Sequence, residues 1–322
     1  MTGAVKVGTR ASALARTQSG QVAARLQQAL GRPVELVDVT TEGDVNRASL
    51  ASLGGTGVFV GRLREALLRG DVDVAVHSLK DLPTAPAEGI TLAAVPLRED
   101  PRDVLVARDR LTLGELPAAA RVGTGSPRRV AQIRALGLGL DLVDVRGNVD
   151  TRIGKVRSGD LDAVVLARAG LARLGRLDDA TEVLDPLQVL PAPGQGALAV
   201  ECRTGDPLVE EVREALDDAR TRACVTAERT VLAVLEAGCA APLGALAEIV
   251  EGEQGEELWL RAVALATDGA VAVRRSAAGP LDPGAGPDAE TAARALGRSL
   301  AEEMLEDGAA DLIDNRPIAS SK

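Results

Sequence analysis

The 322-residue chain contains no tyrosine, one phenylalanine (Phe59) and one tryptophan (Trp259). Almost nothing in it can stack on bases, which removes the usual platform for single-stranded nucleic acid. Basic excess is missing as well: 37 Lys and Arg against 47 Asp and Glu leave a net charge of −10, a surface that repels polyanions. No nucleic-acid partner is expected. Its three cysteines, Cys202, Cys224 and Cys239, cannot all pair and form no Cys-x-x-Cys, which argues against a disulfide framework and a zinc site. No metal centre is expected, and a reducing compartment fits. No apolar run approaches the roughly 18 residues that a membrane helix needs. Met1 to Gly8 enters strand-like sequence at once, with no long apolar segment or small-residue cleavage site. The expected setting is therefore the cytoplasm, with no membrane partner. Phosphate-loop signatures are missing too: there is no Gly-x-x-x-x-Gly-Lys-Ser/Thr, and Gly55-Thr56-Gly57-Val58-Phe59-Val60 fails Gly-x-Gly-x-x-Gly at its last position. That disfavours nucleotides.

What the chain does have is alternation of period 2 with period 3.6. The first third reads as strand Val5 to Val7, helix Ser12 to Leu30, strand Val34 to Val39, helix Leu63 to Leu68 and strand Val72 to Val76. A second set follows the proline-bounded connector Pro96 to Pro101, with strands Val104 to Val106, Arg121 to Gly123, Leu142 to Val145 and Ala163 to Leu166. A second connector, Leu190 to Gly196, follows these. Two crossings between two βα sets predict paired lobes that close on a ligand at their junction. From about Thr221 the pattern changes to a helix, three strands with a hairpin signal at Asp268-Gly269, and a closing helix from Ala289 to Glu306, a small α+β domain. The tail from Asn315 to Lys322 reads as disordered.

The chemistry-bearing residues sit where strands end. Val72 to Val76 runs out into His77-Ser78-Leu79-Lys80-Asp81 before Pro83, and in open α/β sheets the crevice beyond the carboxyl ends of the strands is the usual ligand site. Val122-Gly123-Thr124-Gly125-Ser126-Pro127-Arg128-Arg129 sets a strand end, an N-cap serine and a first-turn proline before paired arginines, so that free N–H groups and two guanidinium forks face one spot. Arg146 and Arg152, Arg168 and Arg173, and Arg10 with Ser12 repeat the theme. So many cations at strand exits of an acidic protein point to a ligand with several carboxylates or phosphates. The glycine-rich segment around Gly55 reads as a loop or lid that offers Phe59 to a flat ligand, or else Phe59 starts the core of the next helix. Cys239, on a turn between Gly238 and Pro242, is an accessible thiol, whereas Cys202 and Cys224 read as small core residues. As the only histidine, His77 is the one base available to a Cys239 nucleophile, and a lone histidine at a strand end also suits a hydrogen-bonded structural place.

The segments His77 to Pro83, Gly123 to Arg129, Arg146-Gly147-Asn148, Pro193 to Ala197 and Glu236 to Pro242 stand in an order and spacing that resemble the porphobilinogen deaminase family, also called hydroxymethylbilane synthases, over nearly the whole chain. The resemblance implies an enzyme that joins four porphobilinogen molecules head to tail into hydroxymethylbilane, releasing ammonia at each addition. Its implied fold class is α/β: two periplasmic-binding-protein-like βα lobes joined by a double hinge, plus a small C-terminal α+β domain. The implied bounds are 1–98 with 197–216 for the first lobe, 99–196 for the second, 219–314 for the third domain and 315–322 for the tail. Asp81 matches the catalytic aspartate. Cys239 matches the cysteine that carries a dipyrromethane cofactor through a thioether, and Lys80, Thr124, Ser126, Arg128, Arg129 and Arg146 match residues that hold it. Arg10, Ser12, Arg152, Arg173 and Gln195 match residues around the substrate. Gly125 and Pro127 depart from the Ser and Leu of many relatives, and Ser52 and Thr56 stand where some carry lysines. The rivals are a non-catalytic two-lobed anion-binding protein and a thiol hydrolase built on Cys239 and His77. A monomer is expected.

Overall fold

In the computed structural model the described residues are 3–39, 56–238, 241–253 and 255–313. They divide into two compact units, Met1–Glu99 with Ala197–Arg222, and Asp100–Gly196 with Ala223 onward. The first unit opens with β1 (Val5–Thr9), α1 (Ala13–Leu30) and β2 (Val34–Asp38), followed by α2 (Thr56–Arg69), β3 (Val74–Ser78) and β4 (Ile90–Ala94). Ser12 is the N-cap of α1, its hydroxyl accepting from Ala15 N (3.3 Å), and Gly31 closes that helix in the left-handed conformation. The sheet order is β2-β1-β3-β10-β4, where β10 is Leu198–Arg203. Strands β1, β2 and β3 run parallel, and β10 runs antiparallel to both β3 and β4. Val5, Val7, Val74 and Val76 pack under α1 and α6 (Leu208–Leu216), while Ala75 meets Leu63, Ala66 and Leu67 of α2 on the other face. That two-sided cover explains the unbroken apolar run Val74-Ala75-Val76 in β3.

Of the glycine-rich segment expected as a loop, the residues from Thr56 onward form the first turn of α2, while those before Thr56 lie outside the described residues. The helix starts well before Leu63 because Val60, Leu63, Ala66 and Leu67 continue one buried stripe. Strand β3 starts at Val74 rather than Val72, since the Asp71 and Val72 N–H groups bond back to Ala66 O and finish the helix.

The second unit repeats the plan with β5 (Asp103–Ala107), β6 (Arg121–Gly123), α3 (Pro127–Ala135), β7 (Asp141–Val143), α4 (Val149–Arg157), β8 (Ala163–Ala167), α5 (Arg168–Arg173) and β9 (Glu182–Val183). Its sheet order is β7-β6-β8-β5-β9, with β6, β7 and β8 parallel and β5 antiparallel to β8. In each sheet the antiparallel strand lies just after a point where the chain passes from one unit to the other: β5 after residue 99 and β10 after residue 196.

The rest of this unit is α7 (Ala219–Val234), a meander of β11 (Leu243–Gly252), β12 (Gly255–Leu265) and β13 (Ala272–Pro280), then α8 (Pro287–Glu306) and α9 (Ala309–Ile313). Leu258, Leu260, Ala262 and Ala264 of β12 face the helices, as a period of two requires. Asp268-Gly269 does form the expected turn, Gly269 at φ 78°, a value that suits glycine. On the other face Val263 and Leu265 pack with Leu246, Leu190 and Ala131 of α3. This shared apolar cluster is why the meander groups with the second βα sheet as one compact unit.

Candidate active site

Four candidates in the first unit lie at the carboxyl ends of parallel strands. Arg10 and Ser12 follow β1, and Lys80 and Asp81 follow its neighbour β3 on a short 3-10 turn, Leu79–Asp81. The turn is pinned from behind by Leu79 N donating to Ala197 O (3.0 Å) and by Gln18 Nε2 donating to Ser78 Oγ (3.1 Å). Half-buried Asp81 has no hydrogen bond or ion pair among the described residues. Phe59 falls in the first turn of α2, and its side chain lies outside the described set. Cys239 also lies outside the described residues.

In the second unit Thr124 and Ser126 follow β6, Arg146 follows β7, Arg152 sits on α4 and Arg173 on α5. Ser126 stands at the N-cap of α3 but its hydroxyl makes no cap bond; instead Ser126 N donates to the buried Thr124 Oγ1 (3.3 Å). Gly125 stands at a tight place: a Cβ there would sit 3.0 Å from Val145 O and 3.1 Å from Asp144 Oδ1.

The two guanidinium forks do not both point into open space, as the sequence led us to expect. Arg128 and Arg129 are 3% and 5% exposed, and each donates an Nη2 to the same carboxylate, that of Asp103 on β5 (2.8 Å each). Their Nη1 atoms donate to Leu190 O (2.5 Å) and Val165 O (3.1 Å). Among the N–H groups left over, the buried Nε–H of each has no acceptor among the described residues. Gln195, buried rather than open to a substrate, donates its amide to Asp103 Oδ1 (2.7 Å) and Pro101 O (2.6 Å). Burial works to raise the Asp103 carboxyl, but the two guanidiniums outweigh it and hold the group far below the usual carboxylate range. Arg152 donates Nε to Gly147 O (2.9 Å), and burial together with the positive charges of Arg129 and Arg146 pushes its guanidinium below the ordinary value. Arg146 stays exposed beside Asp144 (3.3 Å), and Arg173 donates to Gly196 O (2.6 Å). More positive than negative charge is thus concentrated here, which suits a polyanionic ligand. Those unused Nε donors and this donor set fit the carboxylates of a dipyrromethane.

His77 takes the structural place. Its Nε2 lies 3.2 Å from Glu201 Oε2 of β10, somewhat off the ideal hydrogen-bond line, while Arg64 of α2 grips Glu201 from Nε (3.0 Å) and Nη2 (2.7 Å). Burial alone would raise the Glu201 carboxyl, but the bonds and charges of His77 and Arg64 prevail and hold it at about 2 instead of 4.5. A lowered value in the folded state means stability that is full above pH 4.5 and lost as the pH falls toward 2. The contribution is on the order of 3 kcal/mol. Thermal midpoints recorded from pH 5 downward should therefore fall more steeply for the parent than for Glu201→Gln, and parallel curves would rule the assignment out. Neither Asp103 nor the Glu201 pair was legible in the sequence, where a single acid at the edge of an apolar strand carries no sign of its partners.

Two family models match this chain: porphobilinogen deaminase, dipyrromethane cofactor binding domain, over residues 5–211, and porphobilinogen deaminase, C-terminal domain, over residues 222–306. The chain belongs to the porphobilinogen deaminase family. It is 58% identical to porphobilinogen deaminase 1 of Streptomyces coelicolor, covering 97% of this chain and 98% of that one. To the porphobilinogen deaminase of Thermobifida fusca it is 59% identical (96% and 95% covered), and to that of Mycobacterium bovis 57% (96% and 98% covered). A periplasmic substrate-binding protein of Coxiella burnetii shares 16% identity at a TM-score of 0.42, covering 66% of this chain and 91% of that one. So low a score carries no argument, and the α/β class rests on the two strand orders themselves. Family membership makes the chain an enzyme of tetrapyrrole synthesis with a dipyrromethane cofactor. No helix among the described residues is long and apolar enough to cross a membrane.

Proposed function

We propose that this chain is a transferase that condenses four porphobilinogen molecules head to tail into hydroxymethylbilane, one ammonia leaving at each addition, on a dipyrromethane bound through a thioether to Cys239. The observation that carries the reading is the buried Arg128 and Arg129 pair, each keeping an Nε donor for which no described residue supplies an acceptor. When bound, the cofactor supplies the free pyrrole α-carbon to which the incoming unit is joined. The chain's own residues do the rest. Arg128, Arg129 and Arg146, with Lys80, Thr124 and Ser126, hold the acetate and propionate groups of the cofactor, in charge-assisted bonds where guanidinium or ammonium takes part. Arg10, Ser12, Arg152 and Arg173 receive the carboxylates of the substrate, and Phe59 packs on its flat ring. Asp81 acts by charge: once ammonia has left, the substrate is an electron-poor pyrrole, and a carboxylate fixed beside its N–H stabilises it more than the ground state. The same oxygen can move a proton to the departing amine. On this reading the chain divides as 1–98 with 197–216, 99–196 and 219–314.

A non-catalytic anion-binding protein has no use for a carboxylate at the Asp81 strand exit, and a thiol hydrolase needs a base open to its substrate, whereas His77 is buried against Glu201. Intact-mass measurement of the purified protein tests the reading. The expected result is an excess equal to two linked pyrrole units, with porphobilinogen giving ammonia and, after cyclisation, uroporphyrin. A mass equal to the bare polypeptide before and after porphobilinogen would overturn it.

A further inference from the structure

Each of the paired guanidiniums is gripped along its Nη edge. For Arg128 the acceptors are Asp103 Oδ2 (2.8 Å) and Leu190 O (2.5 Å); for Arg129 they are Asp103 Oδ1 (2.8 Å) and Val165 O (3.1 Å). Leu190 is itself held by the Gln132 amide, which donates to its carbonyl (3.0 Å) and accepts from its N–H (2.7 Å). The Asp103 side chain is fully buried and takes a third bond from Gln195 Nε2 (2.7 Å). On the other side of Gln195, Gly194 N donates to the buried Glu228 carboxylate (2.7 Å), which also accepts from Ala247 N (2.9 Å) and ties the turn to β11. A planar group fixed at two of its three nitrogens cannot rotate, so the direction of its Nε–H is fixed as well. Both Nε atoms are buried without an acceptor among the described residues, a state that native interiors rarely keep unless something outside the protein supplies the acceptor.

We propose that Asp103 is the positioning residue of the cofactor site: by occupying the Nη edges of Arg128 and Arg129 it leaves their two Nε–H groups, in fixed directions, as the donors that meet cofactor carboxylates, with Gln195 holding Asp103 in place. The inference rests on the reading that these arginines hold dipyrromethane. It makes a claim opposite to simple electrostatics. Two guanidiniums and one carboxylate leave one net positive charge, and Asp103→Asn raises it to two. A charge effect alone would tighten an anion, whereas loss of the clamp loosens it.

The test uses full-length apoprotein from cells that cannot make porphobilinogen, incubated with porphobilinogen at graded concentrations, the gain of two pyrrole units being followed by intact mass. For Asp103→Asn the half-saturating concentration should rise by at least about tenfold, the scale of a misdirected charge-assisted bond. Gln195→Met, which removes the third bond to Asp103 together with the bond to Pro101 O, should raise it by less. Thermal midpoints are measured alongside. A lower midpoint with unchanged half-saturation would reduce Asp103 to a structural ion pair and overturn the proposal, and tighter uptake would overturn it in favour of charge alone. Should Asp103→Asn fail to fold, Gln195→Met decides: unchanged half-saturation in that variant overturns the clamp. Failure of the parent itself to gain mass is a different result, since it removes the underlying function together with the clamp.

Discussion

Asp81→Asn should fold, carry its cofactor and turn over about two orders of magnitude more slowly than the parent. The side chains are nearly the same size, and Asp81 has no hydrogen bond or ion pair among the described residues that the amide would break. Folding stability should therefore change by no more than about 0.5 kcal/mol. The reacting pyrrole gains positive charge only after ammonia leaves, so the negative charge of Asp81 acts in the transition state and little in the ground state. Removal of one preorganised electrostatic partner of that kind costs about 3 kcal/mol, near 150-fold in rate. The loss belongs in kcat, with the half-saturating porphobilinogen concentration little moved. Steady-state rates with intact mass on the same preparation make the check, and an unchanged kcat would remove Asp81 from the chemistry.

Much of this site is legible in the amino-acid sequence, because strand exits announce themselves. An apolar run that ends in Ser78-Leu79-Lys80-Asp81, or a Gly-Thr-Gly-Ser-Pro ahead of two arginines, marks both the element boundary and the residues beyond it. The strand order follows from the same logic up to a limit. Strands β5 and β10 run against their neighbours, and nothing local in Asp103–Ala107 or Leu198–Arg203 encodes a direction, which is set by where the chain returns from the other unit. Thr56 to Val60 read as loop because two glycines stand close together, yet the buried stripe from Val60 to Leu67 outweighs their poor helix propensity. Charge partners are the real blind spot. Arg128 and Arg129 read as two free forks, while their Nη edges are committed to an aspartate 25 residues upstream and to two carbonyls downstream. Long-range pairing of that kind leaves no spacing rule behind.

Cys239→Ser should give a folded protein with no covalent excess and with activity lower by at least about a thousandfold, the range over which tethering two groups raises effective affinity. A thiol supplies the sulfur nucleophile at neutral pH because a fraction ionises, which a serine hydroxyl does not match without a base to activate it. The one histidine of the chain is engaged with Glu201, so no imidazole is at hand for such help. The other two thiols cannot substitute. Burial, reinforced by the charge of Asp206, pushes the Cys202 thiol up to about 12, and Cys224 is buried in α7 within the apolar cluster beneath the meander. Cys202→Ala and Cys224→Ala should therefore keep the full mass excess, and any excess left on Cys239→Ser would move the anchor to another residue. On the proposed reading, tethering also explains why so acidic a chain can hold an acidic oligomer: a thioether would keep it at high local concentration, and the arginines would need only to orient it against the net charge of −10.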